Sequence, residues 1–408
     1  MAMKIRVLFG SVVVLTMMWL VGCSGHYTCG ITFGSSTCTP GTTTPSTATA
    51  FAYVVDQGGT IDGYALNANA KTFGTVSTFT PPAIKPNTGG VGVVVAQGKF
   101  LYAVFEDLQL IYGWSIDTSG NLKALSGFPL SVPISGIASS TYNQQVVITN
   151  PAGTLLFISE FSSEQILIYQ ISSTGALTAA AASPFSTLPA TLEPQNMAMD
   201  GQGRFLYVSE DSGTHSGSFV VGYSVSSTGA LTEIASFNIP IWEMQGDPSG
   251  KYMVGISGKV QYLCCSDDKN LYVYSIGATG ALSAVTGSPF ATVYTPFNIA
   301  MQPNSTNGEF VYSLGYDDAG TATNPIEGYK LDPTTGQLTV IAGSPFTVST
   351  SAAFGQFDQS GSYMFVYPSP ASSVPLGVIN VASSGALTET LPSVTLPTGG
   401  YFAVSDVP

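Results

Sequence analysis

Charge is the scarcest property of this sequence. Of its 408 residues 9% are charged, and 11 are Lys or Arg, where a soluble domain usually spends about a quarter of its residues on charge. So few cations exclude nucleic acid as a partner, because phosphate backbones are held by clustered Lys and Arg. Histidine is rarer still, at His26 and His215. Nucleophilic catalysis of the Ser-His-Asp or Cys-His type therefore has one plausible imidazole, His215. Helical periodicity of useful length is missing beyond the N-terminal segment. Disorder is excluded for the bulk of the chain by 44% hydrophobic and 11% aromatic residues, which a disordered segment does not carry.

The first 22 residues read as a secretory signal: a basic start with Lys4 and Arg6, then an apolar run over 7–20 that is shorter than a membrane span of roughly 20 residues. It ends in Leu20-Val21-Gly22-Cys23, which resembles the lipobox of bacterial lipoproteins. The resemblance implies that Cys23 carries the lipid and that residues 1–22 are removed. Ser24 follows where Asp would retain the protein at the inner membrane, so the expected address is the outer membrane. Loss of Lys4 and Arg6 leaves nine cations against 24 acids, a net charge of −15. Residues 23–50 form a tether, with a Thr/Pro/Ser-rich stretch lacking apolar periodicity.

Four cysteines remain: Cys29, Cys38, Cys264 and Cys265. In an oxidising compartment an even set points to disulfides. Two pairings stay open: Cys29–Cys38 beside a vicinal Cys264–Cys265 bridge, or a tether stapled to the body. The spacings lack the paired C-x-x-C pattern of a zinc site.

From residue 51 the chain repeats. The motif Ser-Ser-Thr-Gly-Ala-Leu-Thr of 226–232 returns with its glycine at Gly120, Gly175, Gly229, Gly280, Gly336 and Gly385. Such a glycine supplies positive φ in a tight turn. The first unit departs, with Asn67-Ala68-Asn69-Ala70-Lys71 at the turn; Asn is expected to take the left-handed conformation there. A second marker sits in each second strand: Tyr53, Tyr102, Phe157, Tyr207, Val254, Tyr312 and Phe365. A third is Ser-Pro-Phe at 183–185, 288–290 and 344–346, with the variant Gly127-Phe128-Pro129. Pro cannot donate to a ladder, so it is expected past the outer edge strand, where the chain crosses to the next unit. Four short strands per roughly 50-residue unit is the signature of a propeller blade. Seven second strands give an all-β fold: one seven-bladed β-propeller over 51–408. The first unit begins at a second strand, and residues 401–406 match an innermost one, so the C-terminus is expected to complete blade one and remove the open edges.

The pattern Phe205-Leu206-Tyr207-Val208 followed by Gly-Ala-Leu-Thr, as at Gly385-Ala386-Leu387-Thr388, resembles the seven-bladed lactonase-type propellers, which include bacterial 6-phosphogluconolactonases and muconate-cyclising enzymes. The resemblance spans nearly all of 51–408 but lies in scaffold positions. It implies a lactonase-type hydrolase if the chain is an enzyme. A phosphorylated substrate fits poorly, because phosphate recognition favours Arg or Lys. Arg204 is the mature chain's single arginine and falls on the face away from the acids; Lys269 and Lys330 are the cations to check. Cytosolic phosphogluconate is also out of reach of an exported protein.

The loops after the second strands carry the acids Asp56, Glu106, Asp107, Glu160, Glu210, Asp211, Asp267, Asp268, Asp317 and Asp318. Solvated rim charge is the plain reading. The sharper one is a site for Ca2+ or another divalent cation, which takes six to eight oxygens, although no EF-hand spacing is present. Glu160, Glu210 and His215 are the candidate catalytic groups. Asp56, Glu106, Asp107, Asp211, Asp317 and Asp318, with Trp242 for sugar stacking, are the candidate ligand contacts; Trp114 is expected in the core. The combined expectation is a monomeric, lipid-anchored module that binds a glycan, lactone or protein partner. The alternative is a lactone hydrolase using rim carboxylates and a divalent ion.

Overall fold

The computed structural model describes residues 27–29, 38–40, 48–56, 59–69, 71–79, 91–134, 145–187, 193–211, 218–257, 268–303, 309–316, 325–349, 352–367, 375–389, 391, 393–395 and 400–408. Two units are distinguished, Met1–Thr47 and Ala48–Pro408. In the first, strands Tyr27–Cys29 and Cys38–Pro40 pair antiparallel, with Cys29 opposite Cys38. Directly opposed residues have Cα atoms about 4.5–5.5 Å apart, a separation that accommodates a disulfide. Cys23, Cys264 and Cys265 lie outside the described residues.

The second unit is an all-β ring of seven antiparallel sheets. Blades two to seven start on inner strands Val91–Ala96, Val147–Thr149, Glu193–Met199, Glu243–Gly246, Thr295–Met301 and Phe354–Phe357. Each is followed outward by its second, third and fourth strands. Blade one takes its inner strand from the other end of the chain. Gly400–Asp406 pairs with Ala50–Asp56 over seven residues, from Ala50 opposite Asp406 to Asp56 opposite Gly400. The seven inner strands then touch one another in cyclic order. Ring closure by the C-terminal strand, expected from the circular offset of the repeat, is therefore present. The expected second strands at 100–105, 252–256 and 363–367 match Phe100–Phe105, Tyr252–Ile256 and Tyr363–Tyr367, and the others agree within one or two residues at each end.

Large apolar residues from neighbouring blades fill the space between sheets. Phe51, Tyr53, Leu101, Phe105 and Trp114 share one cluster between blades one and two, and Trp114 is core, as expected. The glycines of the repeated turn all have positive φ, from 71° to 86°. Their second role is contact. At Gly120, Gly175, Gly280 and Gly385 a Cβ would fall 2.5–2.8 Å from Phe51, Phe100, Phe205 and Phe310, the first aromatic of the preceding blade's second strand. In the first turn, left-handed geometry falls to Lys71 (φ 52°) rather than to an Asn.

The Ser-Pro-Phe segments do not lie past the outer edge. They interrupt it. In blade three both Leu177–Ala179 and Phe185–Ser186 pair with Gln165–Ile171, and the cis Ser183–Pro184 peptide lies between the two pieces. The serine makes the interruption tolerable, because Ser183 Oγ accepts the otherwise unpaired Ile168 N–H at 2.9 Å. Ser288 serves Val273 at 3.0 Å and Ser344 serves Gly328 at 2.9 Å in the same way. Proline thus occupies a position where its missing donor is not needed.

Because strands alternate in direction, the ring has two faces. Turns between first and second and between third and fourth strands share one, the turn face. Connections between second and third strands and between blades share the other, the loop face.

Candidate binding site in the central channel

The channel is lined by inner strands, whose inward edges present backbone donors and acceptors. Amide side chains stitch these strands together around the axis. Gln245 of blade five donates from Nε2 to Ile299 O at 2.7 Å and accepts from Met301 N at 3.0 Å. Gln356 of blade seven repeats the pattern on the closing strand, with Phe402 O at 3.1 Å and Val404 N at 3.2 Å. Gln145 reaches from blade three past blade four to Met244 O at 2.9 Å. Glu243 Oε1 accepts Asn298 Nδ2 at 2.7 Å and Ile299 N at 3.0 Å, and Asn298 Oδ1 accepts Gly355 N at 3.0 Å. A side-chain amide offers one donor group and one acceptor group, so each mimics a strand residue between blades that share no ladder.

Two cavities with shared lining residues follow the axis. One, of about 330 Å³, is walled by Val93, Val95, Gln145, Gln245, Asn298 and Gln356 among others. The wider one, about 700 Å³, opens at the turn face beside Gln97, Asn150, Asp200, Phe357, Gln359 and Asp406. Neither is lined by Lys or Arg among the described residues. Arg204 is committed elsewhere: its Nε donates to Asp200 Oδ2 and its Nη2 to Gly250 O, both at 2.8 Å. It lies on the turn face, away from the loop acids, as expected. Lys330 is exposed at the turn-face end of the third strand of blade six.

The loop acids do not behave as one solvated rim. Glu160 and Glu210 are wholly buried, which corrects their expected exposure. They lie at the loop-face ends of adjacent second strands, Leu155–Glu160 and Phe205–Asp211. Glu160 Oε2 accepts Ser163 N at 2.8 Å within its own turn. Burial pushes the Glu210 carboxyl up to about 8; the Tyr223 hydroxyl opposes this and Glu233 and Glu164 add to it. Neither carboxyl lines the channel cavities. Glu106 is half-buried and Asp107 exposed. Asp268 is held by Tyr272 Oη at 2.8 Å, Ser257 Oγ and Asn270 Nδ2. Among the described residues no three acidic, His or Cys side chains converge as a metal site. Trp242 is half-buried, and its backbone N–H donates to Ile256 O at 2.8 Å, just before the inner strand of blade five. His215, Asp267, Asp317 and Asp318 lie outside the described residues, as do the side chains of Asp56 and Asp211.

Glu243, which is not among the acids singled out from sequence, lines neither cavity, but it precedes the lining residues Met244 and Gln245 and bonds the lining residue Asn298. It is 6% exposed. Burial pushes it up to about 8, against the pull of Ile299 N and the Asn298 amide. Its signal was present: an acid at the head of an inner strand, next to Trp242, at the place where blades four and six carry Asn196 and Asn298.

The family model of the lactonase seven-bladed β-propeller matches residues 42–241. Among solved structures, a putative 6-phosphogluconolactonase from Bacteroides fragilis is similar at TM-score 0.62 and 14% identity, covering 89% of this chain and 99% of its own. A second putative 6-phosphogluconolactonase, from Bacteroides uniformis, gives 0.61 at 15%, with 88% and 99% covered. The periplasmic gluconolactonase of Pseudomonas aeruginosa gives 0.58 at 15%, with the same coverage. At these identities the likeness is one of fold. No curated protein matches the sequence.

Proposed function

We propose that this chain, a lactonase-type seven-bladed β-propeller, works as an exported, lipid-anchored binding module whose channel takes an uncharged, hydroxyl-rich ligand. A glycan residue or an unphosphorylated lactone ring has that chemistry. One observation carries the reading: the channel wall sets the side-chain amides of Gln145, Gln245, Asn298 and Gln356 among Val, Ile and Met residues, with no Lys or Arg among the described residues. A phosphoryl group entering it would lose its hydration without gaining the charge-assisted partners that offset such a loss. Amides and peptide groups instead match hydroxyl groups in number and direction. The lipobox-like Cys23 and the tether that follows supply the reason for an extracytoplasmic address.

A second reading is supported by Glu243. A carboxyl held near 8 and bonded to Asn298, a residue of the narrower cavity's lining, is suited to proton transfer at neutral pH, so hydrolysis of an unphosphorylated lactone is the alternative function. The exported chain is assayed against a panel of neutral and phosphorylated lactones, with and without EDTA. Ligand capture without turnover supports the binding module. Turnover that survives in Glu160→Gln but falls at least 100-fold in Glu243→Gln supports the hydrolase and assigns its acid–base group; loss with EDTA or in Glu210→Gln would place the chemistry in the loop carboxylates. Tight binding of phosphorylated sugars would overturn the channel reading. Mass spectrometry of the exported N-terminus, with Cys23→Ser as control, tests the anchor.

A further inference from the structure

The two faces of the propeller differ in exposed charge, and the chain enters on one of them. Strand Ala50–Asp56 starts beside Asp406, the last residue of the closing strand. That end is pinned among the turns: Ser405 Oγ donates to Gly98 O at 2.9 Å, and Gln359 N donates to Asp406 Oδ1 at 3.0 Å. The first residues of the propeller unit, 48–50, therefore lie at the turn face.

The same face carries six cations. Lys71, Lys123, Arg204, Lys251 and Lys330 are exposed and Lys99 is half-buried. The solvent-reaching acids of its turns and adjoining strand ends are Asp117, Glu233, Asp332 and Asp406. The other carboxyls there are turned inward. Asp200 holds Arg204, Asp247 and Asp358 accept turn N–H groups from Tyr252 and Tyr363, and burial raises Glu309 towards its neutral form, with Asp247 adding to the shift. On the loop face the balance reverses. Glu106, Asp107, Glu164, Glu193 and Asp268 reach solvent, against Lys269 among the described residues.

We propose that the turn face is the surface laid towards the bilayer, that the bilayer it fits is anionic, and that the loop face is held outward. This rests on the lipid-anchor reading. The whole chain is strongly acidic, so free in solution it is not drawn to anionic lipid. Anchored by its tether, it can come within a Debye length of about 10 Å of the surface, where it responds to the charges of the nearer face, since those on the far side are screened. With the turn face down the near solvent-reaching charges are six cations to four acids, and with the loop face down they are one cation to five acids among the described residues.

The test uses the chain from residue 24, carrying an N-terminal polyhistidine tag, on vesicles of phosphatidylcholine, phosphatidylglycerol and nickel-chelating lipid with nitroxide headgroups. A fluorophore is placed on an azide-bearing residue at Ser119, on the turn face, or at Ser162, on the loop face; both positions are exposed. The expected result is several-fold stronger quenching at position 119. The difference should shrink in high salt, without phosphatidylglycerol, and in a Lys71→Glu, Lys123→Glu, Lys251→Glu, Lys330→Glu variant whose circular dichroism matches the parent. Equal quenching, or stronger quenching at 162, overturns the proposal. Because the tag replaces the native lipid, an unlipidated exported N-terminus would defeat the anchor reading alone and be seen separately.

Discussion

The Tyr312 hydroxyl donates to the Gly385 carbonyl at 2.7 Å, reaching from the second strand of blade six into the repeated turn of blade seven. The same bond joins Tyr53 to Gly120 at 2.9 Å, Tyr102 to Gly175 at 2.7 Å and Tyr207 to Gly280 at 2.8 Å. Two sequence markers, the strand aromatic and the turn glycine, are thus partners across a blade boundary. Blades three, five and seven carry Phe157, Val254 and Phe365 at the position and lack the hydroxyl.

Tyr312→Phe leaves the Gly385 carbonyl without this buried donor. Such a loss costs about 1–3 kcal/mol, and it should appear as a lower urea midpoint with an unchanged slope. A midpoint equal to the parent's would show that the bond contributes nothing to blade association.

The turn glycine is held by space as well as by φ. In Gly385→Ala the Cβ would lie 2.7 Å from Ile341 Cδ1 and 2.8 Å from Phe310 Cδ1, whereas at Gly127, also at positive φ, nothing lies within 4 Å. Gly127→Ala should cost only the left-handed backbone strain, about 1–2 kcal/mol. Gly385→Ala should cost clearly more. Equal losses, read from paired denaturation curves, would mean that the blade contact yields freely.

Glu210 and Glu243 are both pushed up to about 8 by burial. An acid raised in the folded state holds its proton more tightly there than when unfolded. Its contribution to stability is complete below the ordinary carboxylate range and is lost as pH rises through about 8. The denaturation midpoint should therefore be higher near pH 5.5 than near pH 8.5, by this linkage. Glu243→Gln and Glu210→Gln, neutral throughout, should each flatten the profile. A parent profile that climbs with pH across that interval would contradict the assignment.

The scaffold was legible because it is periodic: glycines, strand aromatics and the offset of the two ends follow from a ring of like sheets. The site was not, for a physical reason. Glu160 and Glu210 lie three residues after the strand markers Phe157 and Tyr207, still within the second strand, whereas Asp107 lies five after Tyr102 in the turn beyond it. Grouping all acids that follow a marker did not separate strand-end carboxyls from those in water. The amide stitching was equally silent, since Gln245, Gln356 and Gln145 look like surface residues until inner strands from separate blades meet across the axis. The Ser-Pro-Phe motif was seen but placed outside the sheet, because the serine that closes the gap in the ladder acts on a residue about 15 positions earlier.

Calorimetric titration of the exported chain with a neutral aldonolactone and its 6-phosphate, at matched ionic strength, tests the channel most directly. The account predicts measurable heat with the neutral ligand, at least tenfold weaker binding of the phosphorylated one, and loss of the neutral signal in Gln145→Met. Preference for the phosphate, or binding indifferent to Gln145→Met, would contradict it.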